Sequence, residues 1–180
     1  MELQHKEIPV EFLQRLPEGI KIVKRHGKEF MVVESVFGPN GEDLVSRSVH
    51  IHGEPTLRLG VTIGNRTGMI FVDSFWGSHA KLYSFVPDDA HENAEVNAFV
   101  PETGASLMAD RECDIQGCDC KRSILLNLPD GRSKVYVCAR LGCPGHSIDL
   151  ADMPSEVAKS VGSINFFGVG SLDESWFDEF

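Results

Sequence analysis

The stretch CDIQGCDCKRSILLNLPDGRSKVYVCARLGCPGH, residues 113–146, contains every cysteine of the 180-residue chain. Three cysteines precede an apolar segment and two follow another. Between these groups Asp130-Gly131 separates two apolar runs, a pattern that predicts a β-hairpin with a tight turn. A hairpin brings the residues before its first strand next to those after its second, so we expect the two groups to face each other. The five residues are Cys113, Cys118, Cys120, Cys138 and Cys143.

Two facing pairs of cysteines supply the four ligands of a tetrahedral metal ion. Thiolate sulfur binds zinc at about 2.3 Å, and a module of ~35 residues buries too little apolar surface to fold without such support. Cys120 in place of Cys118, and His146 in place of Cys143, are open alternatives. The symmetry of two four-residue gaps about the hairpin favours one structural zinc ion bound by Cys113, Cys118, Cys138 and Cys143.

Other interpretations of the cysteine cluster fit less well. Four thiolates also suit iron, so iron in place of zinc stays open. Five buried cysteines without a ligand are not expected in a stretch with so many turn residues. Thiol redox chemistry is disfavoured because no Cys-x-x-Cys motif opens a helix. An odd number of clustered cysteines also does not fit the disulfide framework of a secreted protein.

The segment from about Val100 to Leu150 resembles the zinc-ribbon superfamily, in which two cysteine knuckles bracket the strands of a β-hairpin. Residues 100–104, Val-Pro-Glu-Thr-Gly, are also similar to a ribbon knuckle of the form Cys-Pro-x-Cys-Gly with both cysteines replaced. Ribbon knuckles usually have two residues between their cysteines, whereas both pairs here have four. The resemblance implies a structural metal and a role in protein–protein contact.

Residues 19–100 have the pattern of a β-rich domain. Apolar and polar side chains alternate over Leu44 to Ile51 and again over Leu57 to Ile63. Turn residues separate the apolar runs, for example at His26-Gly27 and in the stretch Gly38 to Gly41. The sequence therefore predicts a mainly β protein: an antiparallel β sandwich or barrel, followed by a small zinc-ribbon module.

We divide the chain into four parts. Residues 1–86 form the β-rich domain, and residues 87–112 form a linker or long loop because their composition turns polar and acidic. Residues 113–150 form the zinc-ribbon-like module. Residues 151–180 combine a short helix, expected over Pro154 to Val161, with an acidic, aromatic tail.

Charge and hydropathy limit the classes of partner. The chain has 17 basic and 27 acidic residues and a net charge of −10, so nucleic-acid binding is disfavoured. No segment approaches the ~20 consecutive apolar residues of a membrane span. The first residues show no apolar signal core. We therefore expect a cytoplasmic protein that does not contact a membrane.

His50, His52 and His79 are the candidates for a second metal site of a metal-dependent enzyme. The His-x-His pair places two imidazoles on one face of a predicted strand, similar to the pair in barrel enzymes of the cupin type. However, Glu54 follows His52 too closely, and His79 lies in no good second motif. No serine-nucleophile, phosphate-loop or dinucleotide motif is present. We therefore predict no catalytic residue and keep the enzyme as the alternative.

The last ten residues contain four acids and three aromatic residues. They are similar to the acidic, aromatic-tipped tails by which bacterial and phage single-stranded-DNA-binding proteins recruit partners. Aromatic side chains fill an apolar pocket while acids meet a basic rim. Docking of Trp176, Phe177 and Phe180 on their own domain or a neighbouring subunit stays open. We predict a zinc-binding accessory or scaffold subunit that contacts a protein partner in a larger assembly, with a single-stranded nucleic-acid-associated protein as a further alternative.

Overall fold

The computed structural model describes residues 8–78, 80–85, 94–115, 117–140, 143 and 145–164. Within them the chain is mainly β and all its strand pairs are antiparallel, as the sequence predicts. The elements are α1 (Val10–Gln14), β1 (Ile20–Arg25), β2 (Lys28–Val33), β3 (Val45–Ile51), β4 (Glu54–Ile63), β5 (Arg66–Val72), β6 (Lys81–Tyr83), β7 (Asn97–Phe99), β8 (Met108–Ala109), β9 (Ser123–Asn127), β10 (Lys134–Cys138), β11 (His146–Asp149) and α2 (Ser155–Gly162).

The strands form three sheets. β1 and β2 pair alone, and β8 to β11 form a four-stranded sheet in the order β11-β10-β9-β8. The five-stranded sheet has the order β3-β4-β5-β6, with β7 paired to the part of β4 that β3 leaves free. None of the sheets closes into a barrel over the described residues, so the fold is sandwich-like rather than barrel-like.

Two His-Gly dipeptides make the tight turns of the first two hairpins. His26-Gly27 joins β1 to β2, and His52-Gly53 joins β3 to β4. All four residues have positive φ, between 51° and 81°, as the two-residue turns that match strand twist require. The turn at His26 is therefore confirmed. The expectation that His52 continues the strand face of His50 is wrong, because β3 ends one residue earlier.

β4 provides the centre of the five-stranded sheet. Its predicted alternation is confirmed, since Leu57, Leu59, Val61 and Ile63 are all buried. The Phe99 ring of β7 lies against Gly60, where any side chain would collide with it. Glycine at position 60 thus allows β7 to pack closely on β4.

The sheets and the second helix pack around one hydrophobic core. This core includes Leu59 of β4, Leu126 of β9, Ile148 of β11 and Val161 of α2. Two short strands, β7 and β8, lie in the stretch interpreted as a linker or long loop. Two or three residues are too few to show a strand period, which is why the sequence did not reveal them. The division of the chain into the four predicted parts stays a prediction.

The helix α2 confirms the helix expected over Pro154 to Val161, within one residue. Two aromatic side chains hold its C-terminal end. Trp76 donates from Nε1 to the carbonyl of Val161 over 3.1 Å, and His146 donates from Nε2 to the carbonyl of Ile164 over 2.9 Å. No helix of the described residues is long and apolar enough to cross a membrane.

Candidate metal centre

Four thiols meet at one end of the four-stranded sheet. Their Sγ atoms all lie within 4.8 Å of one another. The Sγ atoms of Cys113 and Cys143 are 3.6 Å apart, and those of Cys118 and Cys138 are 3.8 Å apart. A tetrahedral ion with metal–sulfur bonds of about 2.3 Å has sulfur–sulfur edges of about 3.8 Å. Two of the sulfur–sulfur distances therefore match the edge of a tetrahedral site, and the other pairs lie close enough for the four thiols to hold one metal ion.

The hairpin of β9 and β10 brings the two cysteine pairs together. Cys138 is the last residue of β10 and pairs with Ser123, the first residue of β9. The chain before β9 closes into a loop, since the amide of Cys113 donates to the carbonyl of Cys120 over 3.0 Å. After β10 the amide of Cys143 donates to the carbonyl of Arg140 over 3.2 Å. Both loops thus direct their thiols to one point.

Backbone amides support three of the four sulfur atoms. The amide of Ile115 donates to Sγ of Cys113 over 3.5 Å. The amides of Cys120 and Arg140 donate in the same way to the thiols two residues before them, Cys118 and Cys138. Such hydrogen bonds stabilise negative charge on sulfur. They prepare the sulfur atoms to bind a cation as thiolates.

Burial and the neighbouring thiols shift the pKa values of three of these cysteines. Burial raises the pKa of Cys113 to about 11 despite the Ile115 amide, and the thiol of Cys143 adds to the rise. Burial also raises the pKa of Cys138 against the effect of its amide donor. At Cys118 burial acts in the same direction, but the Cys120 amide and the neighbouring thiols outweigh it and lower the pKa. Without a cation the thiols of Cys113 and Cys138 are therefore protonated near neutral pH, and a metal ion that bound them would displace these protons.

A glycine makes room for the sulfur group. A Cβ at Gly145 would lie 2.5 Å from Sγ of Cys113 and 3.2 Å from Cβ of Cys138. Real Cβ atoms essentially never approach another atom as closely as the first of these distances. A side chain at this position would therefore force the Cys113 thiol or the backbone at Gly145 to move.

The two alternative ligands lie outside the group of four. Cys120 is buried, and its Sγ donates to Oε1 of Glu95 and to the carbonyl of Arg122, both over 3.3 Å. His146 uses Nε2 for the carbonyl of Ile164, and its ring packs edge-on against Trp76 at 4.9 Å. The structure thus brings together the four cysteines that the sequence favours. Their metal binding stays a prediction.

The histidine candidates are not brought together in the same way. His50 is exposed on β3, whereas His52 in the next turn donates from Nδ1 to Oδ2 of Asp73 over 2.7 Å. His79 lies outside the described residues. Among the described residues, the four cysteines are the one group of three or more His, Cys, Asp or Glu with metal-binding spacing.

Sequence reasoning missed Asp73, which organises the loop after β5. Its side chain is fully buried. It accepts hydrogen bonds from His52, from the hydroxyl of Ser78 over 2.6 Å and from the amide of Phe75 over 3.1 Å. The signal in the sequence was an acid directly after the apolar strand that ends at Val72.

Comparison of the chain with protein-family models, with curated proteins and with solved structures finds no match. The zinc-ribbon resemblance therefore depends on the residues of the cysteine segment themselves.

Proposed function

We propose that the protein is a zinc-binding accessory or scaffold subunit whose metal is structural. The observation that carries this proposal is the group of four Sγ atoms at the spacing of a tetrahedral ion. Structural zinc sites are closed by four protein ligands, whereas catalytic sites keep one position for water or substrate. Four cysteines leave no such position.

The packing around the cysteines supports a structural role. Among the described residues, their surroundings form a second hydrophobic cluster beside the main core, with three buried members: Cys120, Cys138 and Ala139. So small a cluster buries little apolar surface, and burial is the main source of folding free energy. A bound ion would supply stability that these residues do not.

Zinc fits the group better than an iron–sulfur cluster does. In a multi-iron cluster the thiolates bind different iron atoms and stand apart around the inorganic core. Here all four sulfur atoms lie within 4.8 Å of one another, which suits one ion at their centre. Zinc is the usual single ion in such a structural four-cysteine site.

The experiment is a pair of serine variants. We expect Cys138→Ser to remove one ligand, lower zinc content well below one per chain and lower the melting temperature. Cys120→Ser is the matched control, because the serine hydroxyl can still donate to Glu95 or Arg122. It should keep its zinc. Zinc content and thermal unfolding are measured together. A Cys138→Ser variant with full zinc and unchanged stability would contradict the ligand set.

A non-catalytic role is supported by the rest of the molecule. Of the two enzyme candidates within the described residues, His50 is exposed and His52 is held by the buried Asp73. The net charge of −10 disfavours nucleic acid. We therefore propose that the partner is a protein. The contact segment proposed from the sequence, with Trp176, Phe177 and Phe180, lies outside the described residues.

Removal of residues 171–180 tests the partner. If these residues contact a partner, as we propose, the truncated protein should keep its zinc and its melting temperature, because the four proposed ligands lie at positions 113–143. It should lose the proteins that the full chain retains from an extract of its source cells. A full chain with the three aromatic residues changed to alanine should lose the same proteins. Unchanged retention by both variants would exclude the tail as the contact.

A further inference from the structure

The five-stranded sheet has an outer face, opposite the buried aliphatic row of β4. Successive residues of a strand point to opposite faces, and cross-strand partners point to the same face. Gly60 therefore lies on the outer face with its partners, Met69 of β5 and Phe99 of β7. Phe71 lies two residues from Met69 on the same side of β5, and its partner on β6 is Leu82. The outer face thus has four large apolar side chains.

These four side chains form one continuous patch. Met69 and Phe71 are neighbours on β5, Leu82 lies beside Phe71, and the Phe99 ring covers Gly60 beside Met69. Among the described residues, neither the main hydrophobic core nor the side chains packed against it include any of the four. Leu82 is 48% exposed, and the other three are partly exposed. Contiguous apolar patches on a protein surface mark sites of interaction.

The charges around the patch favour a second copy of this chain as the occupant. Arg58 lies on the outer face beside Phe71 and forms an ion pair with Glu102. The next outward row, Thr62 with its partners Thr67 and Asn97, is uncharged. A strongly acidic or basic partner would find no excess of opposite charge here, although the whole chain has a net charge of −10. A face with one group of each sign is complementary to itself.

A two-fold axis would use the ion pair in both directions. In an isologous dimer each patch meets the same patch of the partner copy, so Arg58 of one copy approaches Glu102 of the other, and the reverse. Arg58 is 33% exposed and Glu102 is 55% exposed, so both keep a side open to a second molecule. Between them the two sheets would pack face to face at about 10 Å, as in a β sandwich.

We propose that two copies of the chain associate through the outer face of the five-stranded sheet. The apolar patch forms the centre of the contact, and Arg58 and Glu102 form ion pairs at its border. The face offers fewer residues than the roughly 20–30 of a standard interface, so the dimer is reversible, with a dissociation constant in the micromolar range. The contact does not involve the cysteine end of the other sheet.

Sedimentation equilibrium of the full chain as purified tests this dimer. We expect the mean mass to rise with protein concentration from 19.9 kDa toward twice that value. Leu82→Glu should weaken dimerisation at least tenfold, because the new charge would be buried against apolar side chains. Leu13→Glu is the matched control, since Leu13 is 37% exposed on α1, and it should not change the dissociation constant. A native chain that stays at 19.9 kDa up to millimolar concentration, or equal weakening by both variants, would overturn the proposal.

A charge exchange tests the border of the contact. Arg58→Glu and Glu102→Arg each place two like charges there, so each variant alone should dimerise at least tenfold more weakly than the native chain. An equimolar mixture of the two variants should recover the association, because opposite charges then meet across the interface. A mixture that associates no better than either variant alone would overturn the two-fold pairing of these residues.

Other occupants of the face would give different results. A monomeric chain in which removal of residues 171–180 shifts the amide resonances of Met69 and Phe71 would show that its own last residues cover the patch. A monomeric chain from which Leu82→Glu removes a protein retained from an extract would show that a different protein binds there. Either result would overturn the dimer and leave the zinc proposal unaffected.

Discussion

The five-stranded sheet and the cysteine hairpin differ in how much apolar surface they bury. The sheet buries a row of aliphatic side chains along β4, and its core extends to β9, β11 and α2. The cysteine end of the hairpin has three buried residues of its own and four converging thiols. The first region is stabilised by apolar burial. The second, in our account, is stabilised by an ion.

Removal of the ion should therefore have the largest effect, and it should act on one region. A zinc chelator should withdraw on the order of 10 kcal/mol of binding free energy from the cysteine end. Hydrogen exchange then provides the measurement. The amides of Cys113 and Cys138, which donate to Cys120 and Gly145, should lose protection, while Leu59 and Val61 keep theirs. Equal loss in both regions would show that the ion supports the whole fold.

A core substitution should show the opposite pattern. Ile63 ends β4 and is 1% exposed. Ile63→Ala should lower the free energy of unfolding by about 2–5 kcal/mol, because it removes buried carbon and leaves a cavity. Zinc content should stay at one per chain. Denaturant unfolding and metal analysis of the same sample check both statements, and loss of zinc would show that the regions are coupled.

A glycine substitution beside the four cysteines tests the difference between the two regions through a smaller expected effect, on zinc binding alone. Gly145→Ala should displace the Cys113 thiol and cost about 1–3 kcal/mol through overpacking, measured as weaker zinc binding in competition with a chelator. Gly162→Ala is the matched control, because a Cβ there meets its nearest atom at 3.5 Å in the last turn of α2. Its zinc affinity should equal that of the native protein. Equal affinity in the Gly145 variant would mean that the knuckle adapts without strain.

The two regions also differ in how well the sequence predicts them. The strand β4 and the group of four thiols can both be predicted from the sequence, because each follows from residue spacing. Apolar residues recur with a period of two along the strand, and the cysteines form two pairs with equal gaps on either side of a hairpin. Asp130-Gly131 between two apolar runs is enough to predict that hairpin. In both cases the residues that form the pattern lie within one segment of the chain, so the pattern can be recognised without knowledge of the fold.

What the sequence did not reveal depends on contacts between distant segments. Cys120 and His146 had the right chemistry for ligands, and only Glu95 and Ile164, which come from elsewhere in the chain, show why they are used otherwise. β7 is three residues long and exists because β4 has a free edge for it. None of these features has a period or a motif.

Metal content per chain, measured by mass spectrometry of the native protein purified without added metal, tests the central claim most directly. The account predicts one zinc per chain and no other metal in stoichiometric amount. Stoichiometric iron, or a chain that folds fully with no metal and keeps Cys113 and Cys138 protected from exchange, would contradict it.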